Sequence, residues 1–278
     1  MTDRPRWWQW PTVLSLDAPA VSLLWQALLA RVAAVPLRWP HLFVLSASVW
    51  LAYAADRWIE GWRLDWREVR TARHRFYQRW RWPVAAIWLV IFAADVSVAF
   101  AQLSWRELSS GALLLVLVLT YLLSHQFLHR HLRWRVPKEV CVAALLTGGV
   151  WVFLLPSPHP SDVTTSMLLF ALLCFTNCAL ISLWERDVDL AHGQTSLALD
   201  ANENAWVIRQ FPVMIAVLAA AVCAANDRPL RVAGVCALAS AVLLAAIDRM
   251  ETRIGWRAAR VLADIALMTP VFAVLWTA

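Results

Sequence analysis

Two short acidic stretches carry the residue types that could do chemistry. In "YAADRWIEGW", residues 53–62, Asp56 and Glu60 are spaced i, i+4, with Arg57 beside them. In "NCALISLWERDVDLAHGQTSL", residues 177–197, Glu185 and Asp189 repeat that spacing around Arg186 and Asp187. Side chains four apart share a helix face, so each stretch sets two carboxylates side by side. Such pairs repel unless cations lie between them. Hard cations such as Mg²⁺ take oxygen ligands, usually one or two carboxylates plus substrate phosphates. Asp187 points away from the shared face on a regular helix. The plain alternative is two solvated helix ends, neutralised by Arg57 and Arg186.

Other polar residues stand near these stretches. Lys138 begins an apolar run, where a cation opposes the helix dipole; its partner is either the adjacent Glu139 or an anionic diphosphate. Asn177 lies two turns before Glu185, and an amide inside a membrane helix bonds a neighbouring helix or a ligand. His192 and Gly193 follow the second cluster, and Gly193 permits a tight loop. "TARHRF", residues 71–76, reads as a basic lid over a site or as a surface anchor. Asp264 is a carboxylate inside an apolar run, a functional-site hypothesis by default; Arg260, one turn earlier, is its expected ion-pair partner.

The elements that must position these residues are membrane helices. The chain has 278 residues, 61% of them hydrophobic and 16% charged, with a mean hydropathy of +0.57; a soluble domain has about 25% charged residues. Apolar runs at roughly 18–36, 40–56, 83–101, 110–128, 139–155, 163–184, 207–225, 230–247 and 258–277 approach the ~20 residues of a spanning helix. The expectation is an all-α polytopic membrane protein with nine transmembrane helices, forming one domain over residues 1–278. The connections after the second, fourth and eighth runs are rich in Arg, which predicts a cytoplasmic N-terminus and the inner membrane of a bacterium. Both acidic clusters then face the cytoplasm. The net charge of +6 fits basic loops better than nucleic acid. No cleavable signal peptide precedes the first run. The five cysteines all lie in apolar runs and read as packing residues. Many of the 19 Trp fall at run ends, as in aromatic belts.

The layout and the two acidic stretches resemble the UbiA superfamily of intramembrane prenyltransferases. That family has nine helices, arranged around a central cavity, and two Asp-rich motifs after helices two and six. In "AYAADRWIE", residues 52–60, Asp56, Arg57 and Glu60 match the first motif, N-D-x-x-D-x-x-x-D; Ala52 and Tyr53 stand where the family has Asn and Asp. "ERDVDLAHGQTSL" matches the second with Glu185, Asp187, Asp189, Gly193 and Ser196–Leu197. Lys138 and Gly148 are similar to a Lys after helix four and a Gly in helix five. The resemblance implies a prenyl diphosphate bound through Mg²⁺ by Asp56, Glu60, Glu185 and Asp189. Tyr53, Arg57, Lys138, Asn177, Arg186, Asp187 and His192 are then substrate contacts. An acceptor that the sequence does not name, aromatic or lipophilic, then attacks the allylic cation. The altered positions 52 and 53 keep a second reading open, a non-catalytic relative that binds lipid or a membrane partner. Asp264 keeps a third, a small-solute transporter.

Overall fold

Lipid offers no water to the backbone, so long apolar runs must close their hydrogen bonds internally, as helices. The computed structural model describes residues 5–63, 71–124, 136–155, 157–191, 196–200 and 205–276, and among these it contains helices and no strand. A 3₁₀ turn at Trp7–Gln9 leads into α1 (Trp10–Val13), α2 (Asp17–Val32), α3 (Trp39–Arg63) and the short α4 (Ala72–Arg79). Two lipid-side helices follow, α5 (Arg81–Gln102) and α6 (Trp105–Leu123), then α7 (Lys138–Val152) and α8 (Pro160–Trp184). Two short pieces, α9 (Arg186–Ala191) and α10 (Leu197–Asp200), precede α11 (Ala205–Ala225), α12 (Leu230–Ile254), α13 (Trp256–Ala266) and α14 (Pro270–Trp276).

Among the described residues, seven helical segments are long and apolar enough to cross a membrane. An eighth appears if Trp7–Val13 and Asp17–Val32, bent by 76°, count as one span. The chain is thus an integral membrane protein; the described residues show seven or eight such spans, and the nine that the sequence suggests are not confirmed. The physical reason lies in two short helices. The 15 residues of α7 rise about 22 Å, less than the ~30 Å hydrocarbon core. The run at 18–36 stops at Val32, followed by Ala34 with a positive φ of 52°. Arg31, which interrupts that run, reaches the carbonyl oxygens of Ala273 and Val274 at 3.0 and 3.3 Å, so its charge serves the end of α14.

α8 is the central helix, packing on α2, α7, α11, α12 and α13. Its Phe170 stacks on Trp25 of α2 with ring centroids 5.0 Å apart. The last span is broken before Pro270, and Trp25 Nε1 donates to the Leu267 carbonyl at 2.8 Å, satisfying an oxygen near the break. α5 and α6 lie at the periphery, where Leu89, Val90, Leu113 and Val116 are exposed. Between α12 and α13 the chain turns at Gly255, whose φ of 82° suits a residue without Cβ. At the start of α3 and α6, His41 Nε2 meets Glu107 3.1 Å away, and Ser104 caps α6 through Glu107. This clamp fixes the bundle at the end away from the acidic stretches. The five cysteines are free, with Cys174 and Cys236 buried, as their apolar setting predicts.

Candidate active site

The last turns of α3 and α8 bring both acidic stretches to one cavity of about 240 Å³, between α2, α3, α6, α7, α8 and α13. Asp56, Arg57 and Glu60 line it from α3, and Glu185 and Asp189 line it from the other side. The spacing argument holds for the second cluster. Although α8 ends at Trp184, the Asp189 amide donates to the Glu185 carbonyl at 2.9 Å, so one helical turn carries both side chains inward. Both are buried, and Asp187 is exposed. Lys138, Tyr53 and Asn177 also line the cavity, whereas Arg186 and Asp187 do not. His192 and Gly193 lie outside the described residues. So does most of the basic connection after α3. Gly149, rather than Gly148, faces the cavity; a Cβ there would lie 3.1 Å from Leu45 Cδ1.

Three of the four predicted metal ligands are held by the chain's own cations. Glu185 is clasped by Arg260, whose Nη1 donates to both carboxylate oxygens at 2.8 and 2.7 Å. Arg73 adds a third bond, Nη2 to Oε2 at 3.0 Å. Asp189 faces Lys138 Nζ at 3.4 Å. Glu60 accepts from Arg57 at 3.3 Å and meets His74 Nε2 at 2.7 Å. Asp56 lines the same cavity. Among the described residues no group of three or more His, Cys, Asp or Glu is placed to hold a metal ion. The donor set therefore does not fit a divalent cation as it stands, because the oxygens that Mg²⁺ would take accept from guanidinium, imidazole and ammonium groups.

The "TARHRF" segment explains this arrangement. It folds as α4 and closes over the site: Arg73 reaches the second acidic cluster and His74 the first. Thr71 caps the helix, accepting from the His74 amide at 3.4 Å. Its hydroxyl then donates to His74 Nδ1 at 2.6 Å, which leaves Nε2 as the donor to Glu60. Burial drives the His74 imidazole down to about 4 despite the neighbouring carboxylate, so at neutral pH it is an uncharged relay between Thr71 and Glu60. Of the two readings of this segment, the lid is the one the fold adopts.

Two residue assignments change. Arg260 pairs with Glu185, not with Asp264, because the side chain turns toward α4 and the end of α8. Asp264 instead accepts from Asn177 Nδ2 at 2.9 Å. Lys138 pairs with Asp189; the neighbouring Glu139 turns away to accept the Leu197 amide at 3.1 Å, tying the end of the second motif to α7. Arg73, His74, Arg260 and Asp17 are site residues that sequence reasoning did not assign. The first two were visible as an unexplained basic segment. Asp17 gave no signal, because an acidic residue at a helix start is ordinary.

Charge is not spread evenly. Among the described residues, Arg73 and Arg260 each keep a buried Nε–H without a hydrogen-bond partner, and both side chains line the cavity. A buried donor left unmade is costly, and both guanidinium groups stand beside the carboxylate that holds them. Away from it the walls are Val21, Leu45, Val49, Leu114, Leu146 and Leu267, an apolar sleeve.

No family model and no curated protein matches the chain. Among solved structures it is similar to the apo form of a UbiA homolog from Aeropyrum pernix K1, with 16% sequence identity and a TM-score of 0.60. The match covers 92% of this chain and 97% of that one. The chain has the UbiA fold along nearly its whole length.

Proposed function

We propose that the chain is a membrane-embedded prenyltransferase of the UbiA superfamily. It moves a prenyl group from a prenyl diphosphate to a lipophilic, aromatic acceptor. The observation that carries this reading is the cavity's division into a charged end, where Arg57, Arg73, Lys138 and Arg260 stand among the carboxylates, and an apolar sleeve. A prenyl diphosphate has the same two parts. Each CH₂ of the tail taken from water contributes about 0.8 kcal/mol.

The cationic end does the electrostatic work. Arg57, Arg73, Lys138 and Arg260 converge on the position where the diphosphate leaves. Guanidinium groups suit that role because their planar fork of donors matches phosphate oxygens. Charge that grows on the leaving group is stabilised most by donors already in place. A buried, largely apolar cavity keeps water from the allylic cation. Magnesium was expected from the family motifs, but the carboxylates here are engaged by cations, so no step is routed through it. The proposal includes a cytoplasmic N-terminus in a bacterial inner membrane, supported by the basic connections near the acidic stretches.

The non-catalytic reading has one observation in its favour, the ion pairs that already neutralise the acidic clusters. The transporter reading rested on Asp264 as a membrane carboxylate, and its hydrogen bond to Asn177 gives it a different setting. The test is incubation of purified protein with radiolabelled prenyl diphosphates of several chain lengths and a panel of lipophilic aromatic acceptors. Diphosphate release with prenylated product is the expected result. Binding of the prenyl diphosphates without release at any chain length would support the non-catalytic reading.

A further inference from the structure

Below the ion pairs the cavity holds a second polar group that no motif predicts. Asp17, at the start of α2, and Asp264, in the last turns of α13, both line it. Their carboxyl groups lie within hydrogen-bonding reach of each other. Carboxylates are acceptors only, so that contact is a hydrogen bond when one of the two carries a proton. Asn177 donates to Asp264 Oδ1 at 2.9 Å. Asp264 Oδ2 and Asn177 Oδ1 are buried and receive no hydrogen bond from the described residues. Asn177 is 7% exposed and lines the cavity, with its unpaired acceptor buried in the wall. The cations of the neighbouring layer, Arg73 and Arg260, are bound to Glu185.

This group is rich in acceptors and carries negative charge. A ligand that satisfies it must bring a hydrogen-bond donor. One that brings a carboxylate meets repulsion in a poorly solvated site, where unpaired charge is costly.

We propose that Asp17, Asp264 and Asn177 form the acceptor subsite, which binds a neutral hydroxyl-bearing aromatic molecule, takes the proton its nucleophile loses, and rejects acceptors that carry a carboxylate. The proposal rests on the prenyltransferase reading for its chemistry, but not for its binding preference. In the step, the bond between the allylic carbon and the diphosphate oxygen breaks, and its electron pair leaves with the diphosphate. A bond forms from the acceptor's nucleophilic atom to that carbon. The proton on that atom moves to the carboxylate oxygen of the pair that is not already protonated. Proton transfer of this kind contributes roughly 10²–10⁴-fold in rate.

The test compares two matched probes, naphthol and its carboxylated analogue hydroxynaphthoate, titrated into the full chain in nanodiscs. Farnesyl diphosphate is titrated separately. The expected result is naphthol binding at least about tenfold tighter than hydroxynaphthoate, the size of one hydrogen bond to a charged group. In the Asp17→Asn, Asp264→Asn double variant that gap closes to within about twofold, while farnesyl diphosphate affinity stays within about threefold of the parent. Equal binding of the two probes to the parent protein overturns the proposal, and so does a gap that survives the double substitution. The first comparison needs no variant and does not depend on how the substituted chains fold. If farnesyl diphosphate fails to bind while the probe gap is present, the prenyltransferase reading falls and the hydroxyl-selective subsite stands.

Discussion

Glu185 and Asp264 both line the cavity, yet their surroundings differ. Glu185 accepts three bonds from Arg73 and Arg260. Asp264 accepts from an uncharged amide and meets a second carboxyl group. The first carboxylate is a brace: it orients two guanidinium groups in the cavity wall. The second sits in an acceptor-rich group, with Arg73 a cation whose charge reaches it; the proposed role of this group is to bind the hydroxyl and take the proton. On the proposed reading, the acidic motif residues and the acidic residues that take the proton are different residues.

Substitution should separate the two ends, and the largest effect belongs to the brace. Arg260→Leu leaves Glu185 buried with one of its two cations gone. Breaking such a pair costs roughly 3 kcal/mol, to be read as a loss in unfolding free energy in mixed micelles. The same variant should bind farnesyl diphosphate at least about 30-fold more weakly, since a charge-assisted bond is worth about 1.5–3 kcal/mol. Unchanged stability would mean that the Glu185 clasp is not formed.

Asp264→Asn comes next and should show the opposite pattern. The shape is kept and only a proton site is removed, so the stability change stays near 1 kcal/mol. Transfer to the acceptor falls about 100-fold, with diphosphate affinity little altered. A stability loss as large as that of Arg260→Leu, with transfer intact, would erase the contrast.

His74 supplies a pH signature for the charged end. Its imidazole is held near 4 in the fold, against about 6.5 in an unfolded chain. Between those values the unfolded chain binds more protons, so stability falls as pH drops through that window and is level above it. His74→Gln should flatten the decline in a pH series of unfolding experiments. A profile identical to the parent would place His74 outside the buried relay. The smallest effect is that of Thr71→Ala, which removes the α4 cap and should cost about 1 kcal/mol.

How much of this was legible beforehand follows from what sequence encodes locally. Helices were visible because apolar runs of membrane length have few other ways to satisfy their backbone. Both acidic clusters were visible because i, i+4 spacing is a local property, and Glu185 and Asp189 do face inward together. The partners were not visible. Arg73 and Glu185 are 112 residues apart, and no spacing rule predicts that pairing. Asp264 was noticed for its own sake, but the local rule gave it Arg260, one turn away, and the fold overrode that choice with a longer-range clasp. Asp17 was invisible because an acid at a helix start is ordinary until α13 is laid beside it. The count of nine spans is not confirmed among the described residues, where α7 has only 15 residues.

The central claim is that cationic side chains, rather than a carboxylate-held metal, receive the diphosphate. The most direct measurement is farnesyl diphosphate binding and diphosphate release by the full chain in nanodiscs, once in excess EDTA and once in millimolar Mg²⁺. The account predicts affinities and release rates that agree within about threefold under the two conditions, and loss of both in Arg260→Leu. Binding and release that occur only with Mg²⁺ would contradict it and return the acidic clusters to the role of metal ligands.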